Sequence, residues 1–303
     1  MNRTQLYTSA DLTRAEVDHL IEQAENLRNK RTKDLEGKIV ATLFFEPSTR
    51  TRLSFESAIL RLGGQFIHVT DAKTSSVKKG ESLEDTIRMA ELYADALVMR
   101  HPQAGAAERA CNVTQKPFLN AGDGANQHPT QSLLDAYTIH REVGSIDGKT
   151  IAFVGDLKYS RTVHSLLYIL RLYNPKKIIF ISHKNLALPE KYKQMLSQTS
   201  ISFEETDDLA RTMPELDVLY TTRIQEERFE NPEEAKKMKG IYVVTPKVVK
   251  MGPEHLRIME PLPRIDQISP EVDALPQAAY FRQAENGVWM RMALLKYVMK
   301  NAQ

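Results

Sequence analysis

The stretch Ile39-Val40-Ala41-Thr42-Leu43-Phe44-Phe45-Glu46-Pro47-Ser48-Thr49-Arg50-Thr51-Arg52 sets the frame for the whole chain. Its first half is a continuous apolar run, the pattern of a strand buried on both faces of a parallel sheet. Pro47 suits the entry to a helix, and Ser48, Thr49 and Thr51 are residues that cap one. The helix predicted over 48–62 stops at Gly63-Gly64, a C-terminal signal. A strand over 65–69, a polar loop over 70–80, a helix over 81–93 and a strand over 95–99 follow. Upstream, Ser9-Ala10-Asp11 offers an N-cap to an amphipathic helix reaching about residue 30, with Val17, Leu20, Ile21, Ala24 and Leu27 on one face. Repeated βαβ units imply a parallel sheet with helices on both faces.

A second series begins after a long helix over 128–141 and a turn at Asp147-Gly148. It reads as strand 150–154, helix 161–173, strand 177–181, helix 190–197 and strand 217–220, with a closing helix over 278–300. The expected fold is α/β, in two domains, each a mostly parallel sheet flanked by helices, with a long C-terminal helix. The expected division is 1–145 and 146–303, with the C-terminal helix packing back on the first domain. A length of 303 residues suits two domains. Open parallel sheets bind ligands outside the carboxyl ends of their strands. The loops after Phe45, Val69, Met99, Val154 and Tyr220 are therefore the places to search.

The loop after Phe45 carries the strongest chemical signal. The first N–H groups of a helix lack internal partners and carry partial positive charge. Three hydroxyls and two guanidiniums within five residues of such an end form a phosphate cradle. Capping alone accounts for one Ser or Thr, not for Ser48-Thr49-Arg50-Thr51-Arg52. Arg100 and His101 follow another buried strand, where an Arg can reach a phosphate or polarise a carbonyl. In His128-Pro129-Thr130-Gln131, both His128 and Gln131 project from a helix N-terminus. That positive end disfavours imidazolium, so a neutral His donating one hydrogen bond to a carbonyl oxygen is physically sensible. In the second series, Arg161 opens a helix just after a strand and suits a carboxylate through a bidentate fork. Arg223 and Gln225 offer a second fork and an amide, and two separated cationic forks fit a small dicarboxylate. Gly155-Asp156-Leu157 lacks the glycine spacing of a dinucleotide site, which argues against a nicotinamide dehydrogenase.

Composition excludes other classes. The 41 Lys+Arg balance 39 Asp+Glu, which argues against a nucleic-acid or membrane-surface binder. The single Cys111 rules out an intrachain disulfide and a Cys-rich zinc site. No metal, no cofactor, no nucleic acid and no membrane is expected, and the expected location is cytoplasmic. The start shows no apolar targeting core, and the apolar runs are too short to span a bilayer.

Phe45-Glu46-Pro47-Ser48-Thr49-Arg50-Thr51 resembles the carbamoyl-phosphate signature of the aspartate/ornithine carbamoyltransferase family. Further segments match in the same order: the loop from Ser75 to Lys79, Met99-Arg100-His101-Pro102, His128-Pro129-Thr130-Gln131, Gly155 to Thr162, Thr222-Arg223-Ile224-Gln225 and Pro261-Leu262-Pro263-Arg264-Ile265-Asp266. The last two and the Lys78-Lys79-Gly80 loop are similar to the aspartate-specific catalytic chains of that family. The resemblance implies carbamoyl transfer from carbamoyl phosphate to L-aspartate, an early step of pyrimidine biosynthesis. An ornithine-type acceptor and a non-catalytic assembly module are the rival readings.

By resemblance, Arg50, Thr51, Arg100 and His128 are catalytic. Ser48, Thr49, Arg50, Thr51, Arg100, His128, Gln131, Ser75 and Lys79 bind carbamoyl phosphate, with Ser76 an alternative to Ser75. Lys79, Arg161, Arg223, Gln225 and the Leu262 carbonyl bind aspartate. Glu46, Arg228 and Glu233, together with Arg161, match positions that bridge the two domains. The resemblance also implies a homotrimer with shared sites, because the 75–79 loop enters a neighbouring subunit's site. A regulatory chain or a dihydroorotase stands as a further partner. One departure is visible: the family commonly has His before Pro-Leu-Pro, where this chain has Glu260.

Overall fold

A computed structural model describes residues 3–69, 80–226, 229 and 238–302. The chain divides into two compact units, Met1–Tyr137 with Ala284–Gln303, and Thr138–Gln283. Each is built on a five-stranded, wholly parallel sheet, the architecture the alternating pattern implies.

In the first unit the strands are β1 (Gln5–Leu6), β2 (Ile39–Phe44), β3 (Gln65–Val69), β4 (Ala96–His101) and β5 (Phe118–Asp123), in the order β1-β5-β4-β2-β3. The helices are α1 (Arg14–Leu27), α2 (Thr49–Arg61), α3 (Leu83–Tyr93) and α4 (Ala106–Val113), and α5 (Pro129–Val143) begins there. The run Ile39–Phe44 is buried along nearly its whole length, as a central parallel strand must be. Ala41, Leu43, Leu97, Met99 and Phe118 share a core with Ile87 of α3. The α1 helix begins later than Ser9-Ala10-Asp11 suggests. Thr13 and Glu16 form a reciprocal capping box and set the start at Arg14.

The second unit holds β6 (Thr150–Gly155), β7 (Lys177–Ile181), β8 (Phe203–Thr206), β9 (Val218–Thr222) and β10 (Arg257–Met259), in the order β10-β9-β6-β7-β8. Its flanking helices include α6 (Arg161–Leu170) and α7 (Glu190–Ser197). Val154, Ile179, Leu219, Ile258 and Tyr280 belong to one buried cluster. The C-terminal helix Tyr280–Lys300 starts in this unit, and from Ala284 it belongs to the first.

Four strands escape the sequence pattern: β1, β5, β8 and β10. In β5 the reason is chemical. Its residues Asn120, Gly122 and Asp123 read as turn residues, yet every position of the strand is buried. The short polar side chains bond to local backbone, which makes their burial tolerable: Asn120 accepts from the Gly122 N–H at 2.8 Å and donates to the Tyr7 carbonyl at 2.8 Å.

Candidate active site

In the first unit, register brings the key segments together. Arg100 at the end of β4 pairs level with Phe44 of β2, and the Phe45 N–H donates to the Arg100 carbonyl at 2.9 Å. The Arg100 side chain therefore lies beside the turn that enters α2. Its guanidinium is ion-paired with Glu46 at 2.9 Å and donates to the Ala121 carbonyl at 3.4 Å.

The α2 start differs from a conventionally capped helix. Ser48 occupies the N-cap, but its hydroxyl makes no capping bond, and the first turn has no acid. By contrast, Thr13 and Ser82 cap α1 and α3, whose first turns carry Glu16 and the pair Glu84 and Asp85. Ser48 thus holds the N-cap position, as its residue type suggests, without the side-chain bond that usually goes with it. The unneutralised end keeps its partial positive charge, with Thr51 buried there and Thr49 and Arg50 exposed.

His128 and Gln131 are placed by a carboxylate that the motif reading overlooks. Asp123, 1% exposed, accepts from the backbone N–H groups of Gly105 and Gln127 and from the side chains of Asn120 and Asn126. Those bonds fold the loop between β5 and α5. Gly124 completes the turn at φ 55°, where an added Cβ would lie 2.5 Å from the Pro102 carbonyl oxygen. His128 then directly precedes Pro129, the first residue of α5, and is 3% exposed. Thr130 Oγ1 lies 3.5 Å from His128 Nδ1, and the Gln131 amide donates to Asp135 at 2.9 Å. His101 is a packing residue: its Nδ1 accepts the Gln103 N–H, and burial holds its pKa below the usual histidine value.

A second overlooked group is Arg291 on the C-terminal helix. Its guanidinium is buried over the Phe55 ring at 5.0 Å, attracted by Asp135 and repelled by Arg100. Burial pushes its pKa down to about 9, so it remains a cation at neutral pH. Nothing in the local sequence marks it, since it lies within an ordinary helical pattern.

The second unit repeats the device. Ser160 N-caps α6 without a side-chain capping bond, the first turn has no acid, and Arg161 is its first residue, 8% exposed. Asp156, fully buried, accepts the Tyr159 N–H through one oxygen and the Gln225 N–H through the other. That carboxylate staples the loop carrying Arg161 to the loop carrying Arg223 and Gln225. Gly155, at φ 114°, lets the two strand ends approach; a Cβ there would meet the Thr222 carbonyl oxygen at 2.2 Å. Arg223 donates to the Ile224 carbonyl at 3.1 Å. Leu262, with φ 59°, precedes a cis bond to Pro263. Three neighbouring strands, β10, β9 and β6, thus deliver their trailing loops to one edge.

Ser75, Ser76, Lys79, Arg228 and Glu233 lie outside the described residues. Among the described residues there is no cluster of three or more His, Cys, Asp or Glu fit to hold a metal, and no helix is long and apolar enough to cross a membrane. Burial pushes the Cys111 thiol up to about 12, which leaves it protonated and poorly nucleophilic. A cleft of about 560 Å³ lined by Lys38, Asp95, Lys116 and Lys296 opens at the amino ends of the first sheet's strands, the edge away from these groups.

Two family models match the chain. Residues 4–141 match the aspartate/ornithine carbamoyltransferase carbamoyl-P binding domain, and residues 147–298 match the Asp/Orn binding domain. The aspartate carbamoyltransferase catalytic subunit of Methanocaldococcus jannaschii is 52% identical over 301 residues, 98% of either chain. A crystal structure of that organism's catalytic subunit superposes with a TM-score of 0.92 at 50% identity, covering 99% of this chain and 98% of the other. Aspartate transcarbamoylase from Trypanosoma cruzi in complex with N-(phosphonacetyl)-L-aspartic acid gives 0.92 at 41% identity, covering 98% and 96%. The chain belongs to the aspartate/ornithine carbamoyltransferase family.

Proposed function

We propose that this protein transfers the carbamoyl group of carbamoyl phosphate to the amine of L-aspartate, giving N-carbamoyl-L-aspartate and phosphate. The observation that carries this reading is the paired design: two parallel sheets, each presenting an uncapped, acid-free helix start with Arg in its first turn. The first suits an acyl phosphate. In the second, Arg161, Arg223 and Gln225 suit the two carboxylates of aspartate. Those guanidiniums would repel the cationic side chain of ornithine, which disfavours an ornithine acceptor.

In the reaction, the aspartate amine attacks the carbamoyl carbon and a C–N bond forms. Thr51, Arg100 and His128 stabilise the oxyanion of the tetrahedral intermediate. The C–O bond to phosphate then breaks, and the departing phosphate takes the amine proton. Ser48, Thr49, Arg50 and Thr51 neutralise that phosphate at the start of α2, and Gln131 binds the carbamoyl amino group. Arg161 holds the α-carboxylate, Arg223 and Gln225 the side-chain carboxylate, and the Leu262 carbonyl accepts from the amine. Glu46, Arg228 and Glu233 serve domain closure. Holding the two anionic substrates together supplies much of the acceleration.

The proposed assembly is a cytoplasmic homotrimer in which Ser75 and Lys79 of one subunit complete a neighbour's site. Exposed Leu53 and Leu60 on α2, Ile67 on β3 and Leu92 and Tyr93 on α3 are apolar side chains that such an assembly would cover. A regulatory chain or a dihydroorotase is a further partner in this reading.

The test is a carbamoyl-aspartate assay run beside a native mass measurement. Aspartate-dependent turnover by a trimer is expected, with ornithine inert. Arg50→Ala should lose most turnover while its melting curve stays near wild type, because Arg50 is exposed. Undiminished turnover of that variant at saturating carbamoyl phosphate would refute the phosphate cradle.

A further inference from the structure

We propose that Glu260 is a positioning carboxyl of the aspartate subsite, and that it takes up a proton when the dicarboxylate binds. The inference rests on the reading that Arg223 and Leu262 receive aspartate.

The geometry is that of a buried clamp. Glu260 is 2% exposed and follows β10 directly, opposite the end of β9. The Thr221 hydroxyl donates to its carboxylate at 2.5 Å. Thr221 lies two residues before Arg223, and Glu260 lies two residues before Leu262. This bond therefore ties together the two segments that carry the subsite groups at equal offsets. The backbone supports the same placement: the Glu260 N–H donates to Gln283 at the start of the C-terminal helix, at 2.8 Å. Leu262, two residues on, is held in its left-handed conformation, and its N–H favours the ionised form of the Glu260 carboxylate.

The groups facing this carboxyl can be named element by element. The β9 segment gives Thr221 and, past its end, Arg223. The loop beyond Leu262 gives Gln267, whose amide oxygen is held by the Ile265 and Asp266 N–H groups. The C-terminal helix gives Gln283. Of these groups Arg223 carries the charge. Removal from water pushes the Glu260 carboxyl up to about 7, while Thr221, Gln267, the Leu262 N–H and the Arg223 cation each oppose the rise.

Coupling follows from that balance. A substrate carboxylate on Arg223 neutralises the cation that favours ionised Glu260. It also brings a second negative charge close to it. Both changes favour the protonated carboxyl, so dicarboxylate binding takes up a proton, and by linkage affinity falls as pH rises. The sign is opposite to that of the substrate amine, which reacts better as pH rises.

The experiment measures KM and kcat for aspartate from about pH 6 to about pH 8.5 in wild type, Glu260→Gln and Thr221→Val. Wild-type KM should climb several-fold above neutrality. Glu260→Gln, a neutral isostere, should hold a low and nearly pH-independent KM, with the kcat profile following wild type. Thr221→Val removes a bond to the ionised form and should move the KM midpoint to higher pH. A wild-type KM that is flat across this range overturns the proposal without any variant. So does a Glu260→Gln profile that parallels wild type. An Arg223→Ala control separates the two levels: its raised aspartate KM keeps the subsite reading even where Glu260 fails, whereas an unchanged KM removes the subsite itself.

Discussion

His128 shows how a single side chain is placed by its surroundings. A histidine at a helix entry is usually a packing residue. Here Asp123 gathers four donors and fixes the loop that delivers His128 to the start of α5. If His128 is an oxyanion donor, His128→Ala should lower kcat by roughly 10²–10³, the range for loss of one such donor, with little change in carbamoyl-phosphate KM. Steady-state kinetics with each substrate varied in turn checks this. Arg100 needs no such delivery, because the β4 register alone sets it beside the β2 exit. Its guanidinium is ion-paired with Glu46, and Arg100 in turn disfavours the charged form of buried Arg291.

Among the elements, the contrast between helix starts is informative. The α1 and α3 helices are capped by hydroxyls and carry acids in their first turns, as stability favours. The α2 and α6 helices forgo both. That omission weakens each helix by a few tenths to about 1 kcal/mol and leaves the partial positive charge of each start without an acid beside it. Ser48→Asp should therefore raise the melting temperature slightly while raising the carbamoyl-phosphate KM steeply. Thermal melts together with KM determinations test both halves, and a variant that binds the substrate normally would count against the anion role of this helix end.

At the scale of the whole molecule, stability should carry the mark of Glu260. Its carboxyl is raised from an ordinary 4.5 to about 7. The folded state thus keeps a proton that the unfolded chain releases. The associated stability is fully present below about pH 4.5 and is lost as pH climbs toward 7, beyond which the difference stays constant. The loss is on the order of 3 kcal/mol for a shift of this size. Glu260→Gln cannot ionise, so it should melt higher than wild type at pH 8, by more than at pH 5. Equal differences at the two pH values would mean that the buried carboxyl does not titrate in this range.

The residue order alone determined the two-sheet α/β architecture and nominated most of the candidate site residues. Apolar runs ending in Ser-Thr-Arg-Thr-Arg, Arg-His-Pro or Arg-Ile-Gln are local patterns, and a buried parallel strand followed by a helix start is a local event. Only the tertiary structure decided that Asp123 and Asp156 are loop staples, that Ser48 leaves its helix uncapped, and that Arg291 and Glu260 are buried charges near the binding groups. Those roles depend on which strands lie side by side and on what water is excluded. Burial and register join residues far apart in the chain, as Thr221 and Glu260 are, and no short window of sequence contains both partners.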